Sequence, residues 1–179
     1  KYGADRPVHS YATTEDDRWS SVPELIGAAS ITASSAESTV RTVDKIDLSA
    51  QPWSAFDGDS MTAWRASSTD IGERSWIRTD FDEPVNVSAA TVTLAGAQLN
   101  SVDLAVLTDE ESAIVPARHG VPQRLVGLTR PARYLMISAP STIDEVLAIS
   151  EVRVPGVKVT RPIRLPNPGA SWGRPKGIL

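Results

Sequence analysis

Ala55-Phe56-Asp57-Gly58-Asp59-Ser60-Met61-Thr62-Ala63-Trp64 sets two carboxylates, a glycine, hydroxyls and two aromatic anchors close together. Asp57 and Asp59 bracket Gly58, which can take backbone angles closed to other residues and turn carbonyls toward one point. Thr62 follows Asp59 by three positions and offers both a hydroxyl and a carbonyl. Hard cations such as calcium take about six to eight oxygen ligands of this kind. The same residues suit an Asx-type turn of Asp and Gly holding no ion. An EF-hand loop is excluded, because glycine occupies its second place and Ser68 stands where its closing glutamate belongs.

Outward from this turn the chain reads as strands. Toward the N-terminus, Ile31-Thr32-Ala33-Ser34-Ser35 is a β-permissive segment, and 36–49 suits a strand or a structured loop. Pro52-Trp53-Ser54 leads into the turn, and the polar loop 65–74 leads out of it. Trp76-Ile77-Arg78-Thr79-Asp80-Phe81 predicts a strand closed by Asp82-Glu83-Pro84. Val85, Val87, Ala89 and Thr91–Leu94 predict a second, and 99–107 a third with Val102, Leu104 and Val106 on one side. Shorter runs at 113–117, 124–128, 132–138 and 149–154 follow, broken by Pro116, Pro122 and Pro131. Many short strands between Gly, Pro and Asp turns, with no convincing helix, predict an all-β sandwich. Trp64 and Trp76 are expected in its core.

The flanks differ from the middle. Residues 1–27 read as an extended arm, with Trp19 a candidate staple. Residues 157–179 carry four prolines and read as a basic connecting arm, with Trp172 a candidate docking anchor. The span 152–179 holds six Lys or Arg and no acid, although the whole chain is at -4. That acidic balance argues against nucleic acid as a partner. With no cysteine there are no disulfides, zinc ribbons or thiol catalysis. No run is apolar enough to span a membrane, and the opening at Lys1 suggests a segment of something longer.

The ordered pieces together resemble the F5/8 type C (discoidin-like) family of galactose-binding-like jelly-roll β-sandwiches, which includes many carbohydrate-binding modules. Ala33-Ser34-Ser35 looks like its opening, and Ala55 to Asp59 with Thr62 and Trp64 like its signature turn. Trp76 to Phe81 and Pro84-Val85-Asn86-Val87-Ser88 resemble its next two strands. Ala132-Arg133-Tyr134-Leu135-Met136-Ile137 and Ile149-Ser150-Glu151-Val152-Arg153-Val154 resemble its last two. The likeness covers residues 28–156. It implies a structural calcium site closed by an acid from the final strand. The ligands would be the side chains of Asp57, Thr62 and Glu151, with backbone oxygens of Ser54, Asp59, Thr62 and Ser150. The alternative is a hydrogen-bonded Asp57 turn with Glu151 in a salt bridge.

The resemblance further implies a glycan site in loops at one end of the sandwich, where an aromatic face meets hydroxyl-binding side chains. Trp53, Arg65, Asp70, Arg74, Arg118 and His119 are the candidates. Catalysis is not expected. Twenty-two acidic residues guarantee chance carboxylate pairs, but none is marked as a glycosidase pair, and His9 and His119 fit no triad or metal pattern. The function implied is a non-catalytic glycan-binding module of a larger extracytoplasmic enzyme. The Ala- and Val-rich, lysine-poor composition resembles actinobacterial proteins. That suggests the cell-envelope arabinofuranosyltransferases as context, and arabinan or galactan as ligand. A structural spacer contacting neighbouring domains is the alternative. Membrane binding is disfavoured by the polar loop 67–72, in which only Ile71 is apolar.

Overall fold

The computed structural model describes residues 23–37, 50–67, 73–96, 101–140 and 146–160. Eleven strands lie among them: β1 (Glu24–Ile26), β2 (Ala28–Ala33), β3 (Trp64–Arg65), β4 (Arg74–Asn86), β5 (Thr91–Leu94), β6 (Ser101–Leu107), β7 (Ser112–Arg118), β8 (Gln123–Arg124), β9 (Pro131–Pro140), β10 (Ala148–Arg153) and β11 (Lys158–Thr160). A five-stranded sheet runs β2-β4-β9-β6-β7 and a four-stranded sheet β3-β10-β5-β8. All pairings within the sheets are antiparallel. This is the expected all-β, galactose-binding-like sandwich. Among the described residues there is no α-helix; short 3-10 turns lie at Pro52–Ala55 and Val87–Ala89.

Period-two alternation explains the packing. Ser75, Ile77, Thr79 and Phe81 of β4 turn inward, as do Leu104 and Val106 of β6 and Leu135 and Ile137 of β9. From the other sheet come Trp64, Val92, Leu94, Ile149 and Val152. Trp64 is fully buried, and its indole N–H donates to the Ser35 carbonyl at 2.8 Å, which gives its one polar atom a partner.

Three expectations change. Trp76 does not enter the core: it alternates with Ser75 and Ile77 and lies partly buried on the outer face of the five-stranded sheet. β4 does not close at 82–84 but passes through Pro84 to Asn86, absorbing the missing N–H in a register shift between Asp80 and Val85. The run 124–128 pairs only at Gln123–Arg124, and Leu125 and Leu128 plug the core from a turn at Gly127 (φ +91°).

Outside the two sheets, β1 and β11 form an antiparallel ribbon with Glu24 opposite Thr160. Val159 is buried and its N–H donates to Phe56 O, so packing continues just beyond both ends of 28–156. Gly27 (φ +73°) is required here, because a Cβ on it would sit 2.2 Å from the Gly156 carbonyl oxygen. The expectations for 36–49 fall largely outside the described residues, as do those for Trp19 and Trp172.

Candidate functional site

The turn after the 3-10 segment Pro52–Ala55 is held from below by Ser54, Ala55 and Phe56, all buried. Gly58 adopts φ +74°, the left-handed angle that a tight reversal needs. Asp57 Oδ1 accepts from the Asp59 amide at 2.9 Å, and Asp59 O accepts from the Thr62 amide at 3.1 Å. Oxygens then crowd one point. Thr62 Oγ1 lies 3.0 and 2.9 Å from the two Asp57 carboxylate oxygens, 2.9 Å from Asp59 O and 3.4 Å from Ser54 O. A hydroxyl carries a single proton, so it can satisfy only one of these acceptors at a time.

Glu151 adds to the surplus. β10 slips register between Ile149 and Glu151, leaving Ser150 out of the Cα pairing, and Ser150 Oγ donates to Thr93 O at 3.2 Å. Burial pushes the Glu151 carboxyl above the usual carboxylate range. Arg153 opposes this, and the Asp57 and Asp59 charges reinforce it. Charges about ninety positions apart in the chain therefore lie near enough to act on one another. Among the described residues no group of three or more His, Cys, Asp or Glu side chains is clustered for a metal. Any cation here would depend on the Thr62 hydroxyl and backbone carbonyls, which are hard donors suited to calcium and poor for zinc. The donor chemistry fits a hard cation.

The second feature is a cavity of about 180 Å³ at one end of the sandwich. His119, Ser101 and Val102 line it with Leu94, Pro140 and Leu147 among the apolar wall. His119 Nδ1 is 2.6 Å from Ala95 O, which assigns the ring proton to Nδ1. Gly96 (φ +107°) lets the backbone pass this ring, since a Cβ would come within 3.2 Å of Nδ1.

The strand register brings three of the expected arginines to the same end. Arg65 pairs with Ala148, Arg74 with Pro140 and Arg118 with Ser101, and each partner lines the cavity. All three arginines are exposed. Trp53 is not among the lining residues; it is partly buried and packs against the core. Asp70 lies outside the described residues. The apolar wall had no signature in the sequence, because it is assembled from the ends of several separate strands.

No family model matches the chain, and no curated protein matches it. Solved structures do. The arabinofuranosyltransferase AftD from Mycobacteria, in a mutant form, superposes with a TM-score of 0.67 at 24% identity over 84% of this chain and 13% of that one. A second AftD structure gives 0.66 at 22% identity over the same shares. The family 32 carbohydrate-binding module of C. perfringens NanJ, in complex with galactose, gives 0.53 at 15% identity, covering 74% of this chain and 98% of that one. A second Clostridium perfringens module, bound to GalNAc-β-1,3-galactose, gives 0.50 at 15% identity over 70% and 93%. The fold is thus that of carbohydrate-binding modules, and the chain spans about an eighth of the transferase's length.

Proposed function

We propose that this chain is a non-catalytic carbohydrate-binding module of a larger cell-envelope glycan enzyme, with a structural calcium site at the 54–62 turn. The observation that carries the glycan reading is the strand-end cavity, walled by apolar side chains and His119, with Arg65, Arg74 and Arg118 each paired in register with a lining residue. An apolar wall suits the C–H face of a sugar, and guanidiniums reaching the site would donate to its hydroxyls and ring oxygen. At about 180 Å³ the cavity is smaller than the ~300–1,000 Å³ of drug-sized sites, a size for one small ring. Arabinan or galactan of an extracytoplasmic envelope is the proposed ligand, supported by the likeness to AftD. The calcium reading is supported by the convergence of hard oxygens from Asp57 and Asp59 within about 3 Å of Thr62 Oγ1, and by the Asp57 and Asp59 charges acting on Glu151.

A second reading, a structural spacer contacting neighbouring domains of the parent chain, is favoured by Trp53. It packs on the core, and among the described residues no aromatic ring other than the His119 imidazole lines the cavity. Heteronuclear NMR titration with arabinan and galactan oligosaccharides, with and without calcium, separates the two. Shifts localised to His119, Arg74 and Arg118 are expected for the module. A folded sample with no shifts at millimolar sugar would make it a spacer.

A further inference from the structure

Strand β4 presents Arg74, Trp76, Arg78 and Asp80 on the face turned away from the core. At about 3.3 Å per residue this row extends about 20 Å. It starts at the cavity, since Arg74 pairs with the lining residue Pro140. Beside Trp76 the cross-strand neighbours are Ser138 and then Ala105, two short side chains, before the exposed Ile114 at the far strand.

Farther along, Arg78 is held from several sides. It donates from Nε (2.9 Å) and Nη2 to Asp80 Oδ1, and its guanidinium carbon stands 4.0 Å from the centre of the Tyr134 ring. Asp80 Oδ2 accepts from Ser30 Oγ at 2.9 Å. The hydrogen bond from Arg78 holds the Asp80 carboxyl below its usual range, opposed by burial and helped by Ser30. Both side chains nevertheless keep about a third of their surface open, 38% and 34%. An aromatic face, a fixed donor and a fixed acceptor in one row are the complement of a neutral saccharide, whose C–H faces stack and whose hydroxyls both give and accept. Fixing the charged pair in advance removes ordering entropy that binding would otherwise cost.

We propose that this row is a saccharide track: a glycan seated at the cavity continues down β4, stacking on Trp76 and bonding Arg78 and Asp80. The ligand is then an oligosaccharide stretch and not a lone terminal sugar. The proposal rests on the glycan reading of the cavity, and the experiment separates the two. Calorimetric titration of the 179-residue chain with mono- to hexasaccharides of arabinan and galactan should show affinity rising about tenfold or more with length. Trp76→Ala should abolish that rise. Arg78→Lys, which keeps the charge but loses the fork and the flat stack, should reduce it. Trp76→Phe and Arg78→Lys carry the test if Trp76→Ala does not fold by circular dichroism. Affinity independent of length, or a rise untouched by these variants, overturns the track and leaves the cavity reading standing; the latter would assign the face to a protein neighbour. No saccharide binding at any length overturns both.

Discussion

Two carboxylate-organised turns in this molecule solve opposite problems. Glu111 sits where donors outnumber acceptors: its carboxylate receives the Thr129 amide (2.6 Å), the Thr129 hydroxyl (2.8 Å) and the Arg130 amide (2.9 Å). Those bonds, the Arg130 amide foremost, hold its carboxyl below the usual range. Thr108 closes the same corner by accepting at Oγ1 from the Glu111 amide at 2.8 Å. The turn at Asp57 is the reverse, with several oxygens competing for one Thr62 proton and Glu151 pushed upward nearby. A carboxylate bonded by several N–H groups closes a loop by itself; hard oxygens converging on one hydroxyl make the other turn the place where the proposed cation would act.

The largest expected effect tests that contrast directly. Calcium at a hundredfold excess over its Kd should stabilise the protein by about 2.7 kcal/mol in thermal melts against a chelator. Asp57→Ala should remove this response and Glu111→Ala should leave it intact; a wild-type melt indifferent to calcium ends the cation reading. Thr62→Val comes next. It takes away the hydroxyl that donates into the Asp57 cluster, a part-buried hydrogen bond to a charged group, at a cost of about 1.5–3 kcal/mol in urea unfolding.

Opposite pH responses sharpen the comparison further. Glu151, with its folded pKa raised, contributes stability that is fully present below its unfolded value and lost as pH rises through the folded one. Glu111, with its folded pKa lowered, contributes stability present above its unfolded value and lost as pH falls through the folded one. Calcium-free melts between about pH 4 and pH 7 should show wild type losing ground to Glu151→Gln, and gaining on Glu111→Gln, as pH rises. Slopes of the same sign would break the contrast. The smallest effect belongs to the exposed Arg130–Glu110 pair at 3.3 Å. Glu110→Gln should change stability by less than about 1 kcal/mol.

Much of the architecture was legible because alternation marks half-buried strands directly. The inward set Ile77, Leu104, Val106, Leu135 and Ile137 follows from period two alone. Trp76 shows where that reasoning slips: a strong aromatic reads as core, but the phase of the alternation is set by Ser75 and Thr79, small polar residues that carry no burial signal. Pro84 reads as a terminator unless the register shift beside it is known. At the site, the hydrogen-bonded turn 54–62 was readable since its residues are local in sequence. The cavity was not, because Leu94, Pro140 and Leu147 become a wall only when separate strand ends converge. Trp53 packs against the core, because Pro52 starts a 3-10 turn that carries it there.

The ribbon of β1 and β11 bears on how the molecule responds to force. Glu24 and Thr160 are directly opposite, so tension applied to the chain on either side pulls the two strands apart at their paired ends. Their cross-strand bonds are then loaded in sequence, as in a zipper, whereas shear would load them together. The ribbon should part at low tension while the longer ladders of β4 and β9 stay closed. The ribbon would give slack before the sandwich itself is strained.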